Sequence, residues 1–139
     1  MGQRRSQELV RALDTNVLVR YLVRDDPVQT AKADEVLAER ALVTPTVLLE
    51  TVWVLASFYR RSRGEIVAAL AAVLDQRNVA MANETGVRWA LERLEAGADF
   101  ADMLHLVEAE NADRFATFDR RLARKAGADA PVTIETLSN

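Results

Sequence analysis

The sequence predicts a helix-rich α/β fold, a three-layer α/β/α sandwich around a short, mostly parallel sheet. Short apolar segments of strand length alternate with amphipathic segments of helix length along the chain. Half of the 139 residues are hydrophobic, which is enough to form a sizeable interior. Strands that alternate with helices of this length are typical of a parallel sheet covered on both faces.

In the first half of the chain, two prolines mark the starts of helices. Pro27, directly after Asp26, and Pro45 both suit a first helical turn, where proline's missing amide hydrogen is no loss. Gly64 is expected to break the chain before the next helix. The predicted elements are a strand at Leu9–Leu13, helices at 15–23 and from Asp26, a strand at Leu42–Thr44, and helices at 45–59 and 65–76.

The second half is organised by two glycines that follow helical segments. Gly97 and Gly127 each lie where a helix is expected to end. The run Phe115–Phe118 is rich in residues that favour strands. The predicted elements are a strand at Val79–Met81, helices at 84–96 and 99–111, the strand at 115–118, a short helix ending at Gly127, and a strand at Pro131–Ile134.

Composition limits the domain organisation and the chemistry. Residues 1–8 are polar and basic and are expected to be a disordered extension, with residues 9–139 forming a single domain. The longest apolar run, Ile66–Leu74, is far shorter than the roughly 20 residues of a membrane-spanning helix. The lack of cysteine excludes disulfides, thiolate zinc sites and a cysteine nucleophile, and it fits a cytoplasmic location.

Five acidic residues lie where the carboxyl ends of parallel strands are expected, the edge at which such sheets form their sites. Asp14 and Asp119 directly follow predicted strands, and Glu50 lies in the first turns of the helix after the second strand. Asp99 and Asp102 open the helix before the strand at 115–118. If the sheet is parallel, these carboxylates meet at one rim.

Each acid also has a purely structural interpretation. Asp14, Asp99 and Asp119 stand at helix N-cap positions, where aspartate is among the preferred residues, and Asp102 suits the first turn of a helix. Glu50 has mostly apolar neighbours three and four residues away, so on a core-facing stripe it would need an arginine partner or a bound cation.

An acidic, oxygen-rich pocket favours Mg²⁺ or Mn²⁺. Like charges about 4 Å apart repel by on the order of 4 kcal/mol at an effective dielectric constant near 20, so grouped carboxylates need a counter-charge. Carboxylate oxygens are ligands that Mg²⁺ and Mn²⁺ prefer. Such ions activate water and stabilise charge on a phosphodiester under attack.

Four segments resemble the motifs of the PIN-domain family of ribonucleases. They are ALDTNVLVRYL, TVLLETVWVL, ADFADMLH and ATFDRRL, and together they extend from Leu13 to Leu122 in the family's order and spacing. The resemblance implies that the metal-site acids are Asp14, Glu50, Asp102 and Asp119. It makes Asp99 a secondary acid and Asn16 and Thr117 supporting polar residues. His105 stands where the family more often has an apolar residue, and it is expected to pack.

The resemblance implies a Mg²⁺- or Mn²⁺-dependent endoribonuclease that cuts structured RNA and leaves a 5′-phosphate. Short members of this kind are usually the toxin of a VapBC toxin–antitoxin module, a homodimer inhibited by a VapB-type antitoxin. The helix at 46–59 has more large apolar side chains than one core face needs, which indicates either a partner groove or, as we favour, burial on several sides. The candidate RNA contacts are Arg60, Arg61, Arg63, Arg120, Arg121, Arg124 and Lys125.

Other function classes fit less well. A haloacid-dehalogenase-type phosphotransferase would want a second aspartate two residues after Asp14, where this chain has Asn16. A Ser–His–Asp hydrolase has His105 as its only base and lacks a glycine elbow around any serine. The remaining alternative is a catalytically inactive PIN-like module for protein interactions, and the presence of all four acids argues against it.

Overall fold

The computed structural model describes residues 9–139, and the extension expected at residues 1–8 lies outside this range. The chain divides into two compact units, one ending at Ala82 and one running from Asn83 to Asn139. That residues 9–139 act as a single domain stays a prediction. Within the described residues, no helix is long and apolar enough to cross a membrane.

The first unit combines a three-stranded parallel sheet with four helices in its described part. The strands pair in the order β1–β2–β3, with Arg11 opposite Ala41 and Leu42 opposite Ala80. Helix α1 packs against α2 and α3, and α3 packs against α4. The elements are β1 (Arg11–Ala12), α1 (Thr15–Val23), α2 (Pro27–Leu37), β2 (Ala41–Leu42), α3 (Pro45–Ser57), α4 (Arg63–Leu74) and β3 (Val79–Ala80).

Polar side chains fix the start of each helix in this unit. Asp14, Asp26 and Thr44 accept hydrogen bonds from the first amides of α1, α2 and α3. Ser62 and Glu65 form a capping box at the start of α4, in which each side chain accepts from the other's backbone. The chain therefore turns directly from each strand into the following helix, which places Asp14 just beyond β1.

The second unit pairs two parallel strands and carries three helices. Strand β4 runs beside β5 with Arg114 opposite Thr133 and Thr117 opposite Thr136. Helix α5 packs against α6, and α7 packs against β5. The elements are α5 (Glu84–Glu95), α6 (Phe100–Glu108), β4 (Arg114–Thr117), α7 (Leu122–Ala126) and β5 (Thr133–Thr136).

The predicted helix-rich α/β fold with short parallel strands is confirmed, but several boundaries differ. Gly64 does not break the chain before α4; it lies inside the first turn, because Ser62 already caps the helix. Thr44 caps α3 instead of ending a strand, so β2 stops at Leu42. Strand β5 begins after Pro131, which lacks the amide hydrogen that a ladder uses.

Candidate active site

Asp14 stands at the junction of β1 and α1, with its side chain exposed. Its Oδ1 accepts a hydrogen bond of 2.7 Å from the Thr15 amide, so the capping interpretation is correct. A carboxylate has about four lone-pair positions, and capping engages only part of this capacity. Asp14 can therefore begin α1 and still offer oxygen to a ligand.

Glu50 is exposed on α3, on the side of the helix that faces solvent and not the core. The buried stripe of α3 consists of Leu48, Thr51, Val52 and Leu55. The expectation that Glu50 lies on a core-facing stripe is therefore wrong. Its partner among the described residues is also not an arginine: the buried Thr15 hydroxyl donates to Glu50 Oε1 over 2.5 Å.

Asp14 and Glu50 line the same cleft, of about 430 Å³, which we call the α1–α3 cleft. Since β1 and β2 are parallel neighbours, the helices that follow them begin at the same edge of the sheet. Thr15 links the two acids, because its amide donates to Asp14 and its hydroxyl to Glu50. Asn16 lines the cleft as well. Two of the predicted acids thus meet within the first unit.

Sequence reasoning missed Thr15. Its only signal was a hydroxyl group directly beside Asp14, and nothing in the sequence related it to Glu50, 35 residues further along the chain. The side chain is 7% exposed, so its orientation is fixed by the packing of α1. Thr15 is therefore the residue that holds the Glu50 carboxylate in the cleft.

In the second unit, Asp102 interacts electrostatically with two further acids, Asp99 and Asp119. Asp99 caps this helix by accepting a hydrogen bond of 3.0 Å from the Asp102 amide. Burial, and then the negative charge of Asp99, raise the pKa of Asp102; the charge of Asp119 acts in the same direction, and that of His105 opposes it. The Asp102 carboxylate therefore lies within electrostatic reach of two other acids.

Asp119 is held in a tight turn after β4. Its amide donates to Thr117 Oγ1 over 2.9 Å, and its Oδ1 accepts from the Arg121 amide over 2.9 Å. Thr117 thus supports the backbone of Asp119. His105 is exposed on α6, so the expectation that it packs is wrong.

The predicted RNA contacts lie on exposed segments of both units. Arg60 and Arg61 follow α3, with Arg60 in the left-handed conformation at φ 54°, and Arg63 opens α4. Arg120 and Arg121 directly follow Asp119, and Arg124 and Lys125 are in α7. All seven are exposed, which leaves their contact with RNA a prediction.

The carboxylate oxygens of these acids are suitable ligands for a divalent cation such as Mg²⁺. The acids do not, however, form a complete coordination shell by themselves. Within residues 9–139, no three or more His, Asp or Glu side chains are close enough together to hold a metal ion. The α1–α3 cleft supplies the carboxylates of Asp14 and Glu50. Mg²⁺ commonly binds through one or two carboxylates and keeps several waters, so this pair suits it.

A helix-rich α/β fold with carboxylates beyond the carboxyl ends of parallel strands is typical of enzymes that act on phosphate esters. The chain belongs to the PIN domain family, whose model matches residues 11–128. Members of this family are generally nucleases and typically depend on divalent metal ions, so a nuclease-type function is indicated. Searches of curated proteins and of solved structures give no match.

Proposed function

We propose that this protein is a metal-dependent endoribonuclease that hydrolyses phosphodiester bonds in structured RNA. The observation that carries the proposal is the convergence of Asp14 and Glu50 on the α1–α3 cleft, held there by Thr15. The metal-site and catalytic acids are Asp14 and Glu50 together with Asp102 and Asp119. Asp99, Asn16 and Thr117 support them.

The roles of the residues follow from their surroundings. A bound Mg²⁺ or Mn²⁺ would activate water and stabilise the charge that develops on the phosphodiester. Asp14 and Glu50 would supply oxygen ligands to this ion, and the hydrogen bond from Thr15 restrains rotation of the Glu50 carboxylate. In hydrolysis, the water oxygen bonds to phosphorus, the P–O3′ bond breaks, and the leaving 3′-oxygen takes a proton. The products carry a 5′-phosphate and a 3′-hydroxyl.

The proposed biological role is that of the toxin in a VapBC-type toxin–antitoxin module in the cytoplasm. The resemblance of four motifs between Leu13 and Leu122 supports this role. It implies a homodimer and a VapB-type antitoxin that blocks the acids. Expression of the protein alone should arrest growth, and co-expression of a small antitoxin encoded next to it should restore growth. If Asp14→Asn arrests growth equally well, toxicity does not come from RNA cleavage.

The decisive test of catalysis replaces Asp14 by asparagine. Asparagine caps helices about as well as aspartate, so α1 should remain intact while an anionic ligand is lost. We expect Asp14→Asn to lower RNA cleavage in Mg²⁺ or Mn²⁺ by about 100-fold or more. The matched control is Asp26→Asn, the same change at the cap of α2, which should cleave at the wild-type rate.

Two outcomes of this assay would contradict the assignment. Cleavage by purified Asp14→Asn at the wild-type rate would place the activity elsewhere, and full activity in EDTA would exclude a metal-dependent reaction. Asp99→Asn should give a smaller loss than Asp14→Asn, because Asp99 is proposed as a secondary acid. An equal loss at both positions would refute this ranking.

A further inference from the structure

The α1–α3 cleft has an aromatic wall directly beside its acids. Trp53 and Phe58, which are 64% and 74% exposed, line it together with Tyr59. Trp53 follows Glu50 by three positions on α3, so the indole ring and the carboxylate are neighbours on one helical face. The preference for burial of α3 on several sides is therefore wrong: part of its apolar surface forms an open cleft.

Two residues of the aromatic wall, Tyr59 and Phe58, are held by side-chain contacts. The Tyr59 hydroxyl donates to Asp25 Oδ2 over 2.9 Å and accepts from Arg20 Nη1 over 3.2 Å. Phe58 packs edge-to-face against Tyr59, with ring centroids 4.9 Å apart and an interplanar angle of 80°. Because these two rings are already ordered, a flat ligand that contacts them costs little further loss of their side-chain freedom.

Two basic side chains lie at this cleft and its neighbour, namely Arg20 of α1, which also pairs with Asp25 over 3.2 Å, and Lys32 of α2. Arg20 lines the α1–α3 cleft and also a second cleft of about 430 Å³, whose lining includes Gln29 and Lys32. The two clefts share Asn16 as well, so they adjoin. This surface suits a polymer in which flat apolar rings alternate with negatively charged phosphates. One ring would stack at Trp53, and the neighbouring phosphate would lie near Arg20.

We propose that the α1–α3 cleft binds one unpaired nucleotide of the RNA substrate, with its base stacked on Trp53. This inference rests on the proposed nuclease function and adds a positioning residue to it. Stacking at Trp53 places the base about one helical turn from Glu50, so the adjoining phosphodiester reaches the acids. Phe58 lines the same cleft, and Arg20 offsets the repulsion between phosphate and carboxylates. The site favours single-stranded over paired RNA, because a paired base keeps its faces stacked within its own helix.

Fluorescence gives a test that does not require cleavage. In a Trp89→Phe background Trp53 is the sole tryptophan, since the chain contains two. In EDTA, a single-stranded RNA octamer should quench the Trp53 emission, whereas an octamer of the same backbone without bases should not. Trp53→Ala should weaken binding of the RNA octamer by about 10-fold or more, and Trp53→Phe should retain most of the affinity.

A control and an independent readout keep this test separate from the nuclease proposal. Val28→Ala removes a side chain of similar exposure on α2, outside both clefts, and should bind RNA like the wild type. Wild-type RNA affinity in Trp53→Ala would overturn the stacking proposal, even if the wild type cleaves RNA. Quenching that needs the bases would support it, even if no cleavage is found. A change of oligomeric state in Trp53→Ala with unchanged RNA affinity would overturn it and assign the wall to a second copy of the chain.

Discussion

Removal of the Thr15 hydroxyl should lower the activity of the protein much more than its stability. Thr15→Val removes the donor to Glu50 Oε1 and keeps the branched shape of a side chain that is 7% exposed. The backbone amide remains, so the cap that Asp14 provides to α1 is unaffected. The substitution therefore changes the restraint on Glu50 and little else.

The expected change in stability is small. A hydrogen bond to a charged group contributes about 1.5–3 kcal/mol. Glu50 is exposed, so water replaces the lost donor, and the new methyl group gains about 0.8 kcal/mol from burial. The two effects leave a net loss within about 1 kcal/mol. For a chain of this size, that corresponds to a fall in melting temperature of less than about 5 °C.

The expected change in activity is larger. Without Thr15, the Glu50 carboxylate samples several rotamers, and a misplacement of about 1 Å at a catalytic group can lower the rate by about 100-fold. We expect kcat/KM for RNA cleavage to fall by about 10- to 100-fold in Thr15→Val and to be largely kept in Thr15→Ser. The control is Thr46→Val on the same exposed side of α3 as Glu50, where the Thr46 hydroxyl lies 3.3 Å from the Thr44 hydroxyl and makes no hydrogen bond to Glu50 among residues 9–139.

Melting curves and cleavage rates of these three variants decide the question. Wild-type kcat/KM in Thr15→Val would refute the role of Thr15 in positioning Glu50. A melting temperature more than about 10 °C below that of the wild type would show that the hydroxyl mainly stabilises the packing of α1.

Two further predictions concern the second unit. In EDTA at pH 7, Asp102→Asn should melt above the wild type, because burial and then the charge of Asp99 raise the pKa of Asp102 in the folded protein. The wild type then loses stability as the pH rises through that raised pKa, so the difference should vanish below about pH 3.9; equal melting at pH 7 would contradict this. Gly86→Ala should lower the free energy of unfolding by about 1–3 kcal/mol, since the added Cβ would lie 2.6 Å from Val107 Cγ1. Alanine normally stabilises a helix relative to glycine. A higher melting temperature, or a higher urea concentration at the unfolding midpoint, would therefore show that α6 moves aside.

The helix starts could be predicted because their signals are local. Asp14, Asp26 and Pro45 each combine a residue preference with a hydrogen bond or a fixed φ angle that involves only the next few residues. Helix α1 accordingly has the predicted bounds, Thr15–Val23. The strands could not be bounded in this way, because the length of β1 depends on how many residues pair with β2, about 30 residues away.

The orientation of α3 could not be predicted for a different reason. This helix has apolar residues on more than one face, so its spacing does not distinguish the Leu48–Leu55 side from the Glu50–Trp53 side. Packing against α1 and α4 determines which side of α3 is buried, and no local sequence pattern encodes this packing. The motifs name the candidate acids without reference to packing, whereas the Thr15–Glu50 hydrogen bond depends on it.

Every residue that lines the α1–α3 cleft comes from α1, α3 or the residues that flank them. Local unfolding that moves one of these helices therefore changes the cleft as a whole. The Asp14–Glu50 pair and the Arg20–Tyr59 hydrogen bond exist only while α1 is docked on α3, so an opening motion that separates these helices removes both at once. A molecule bound in the cleft must slow that opening, and amide hydrogen exchange in α1 and α3 would report it. Conversely, a molecule that inserts between α1 and α3 would inactivate the protein without touching either acid.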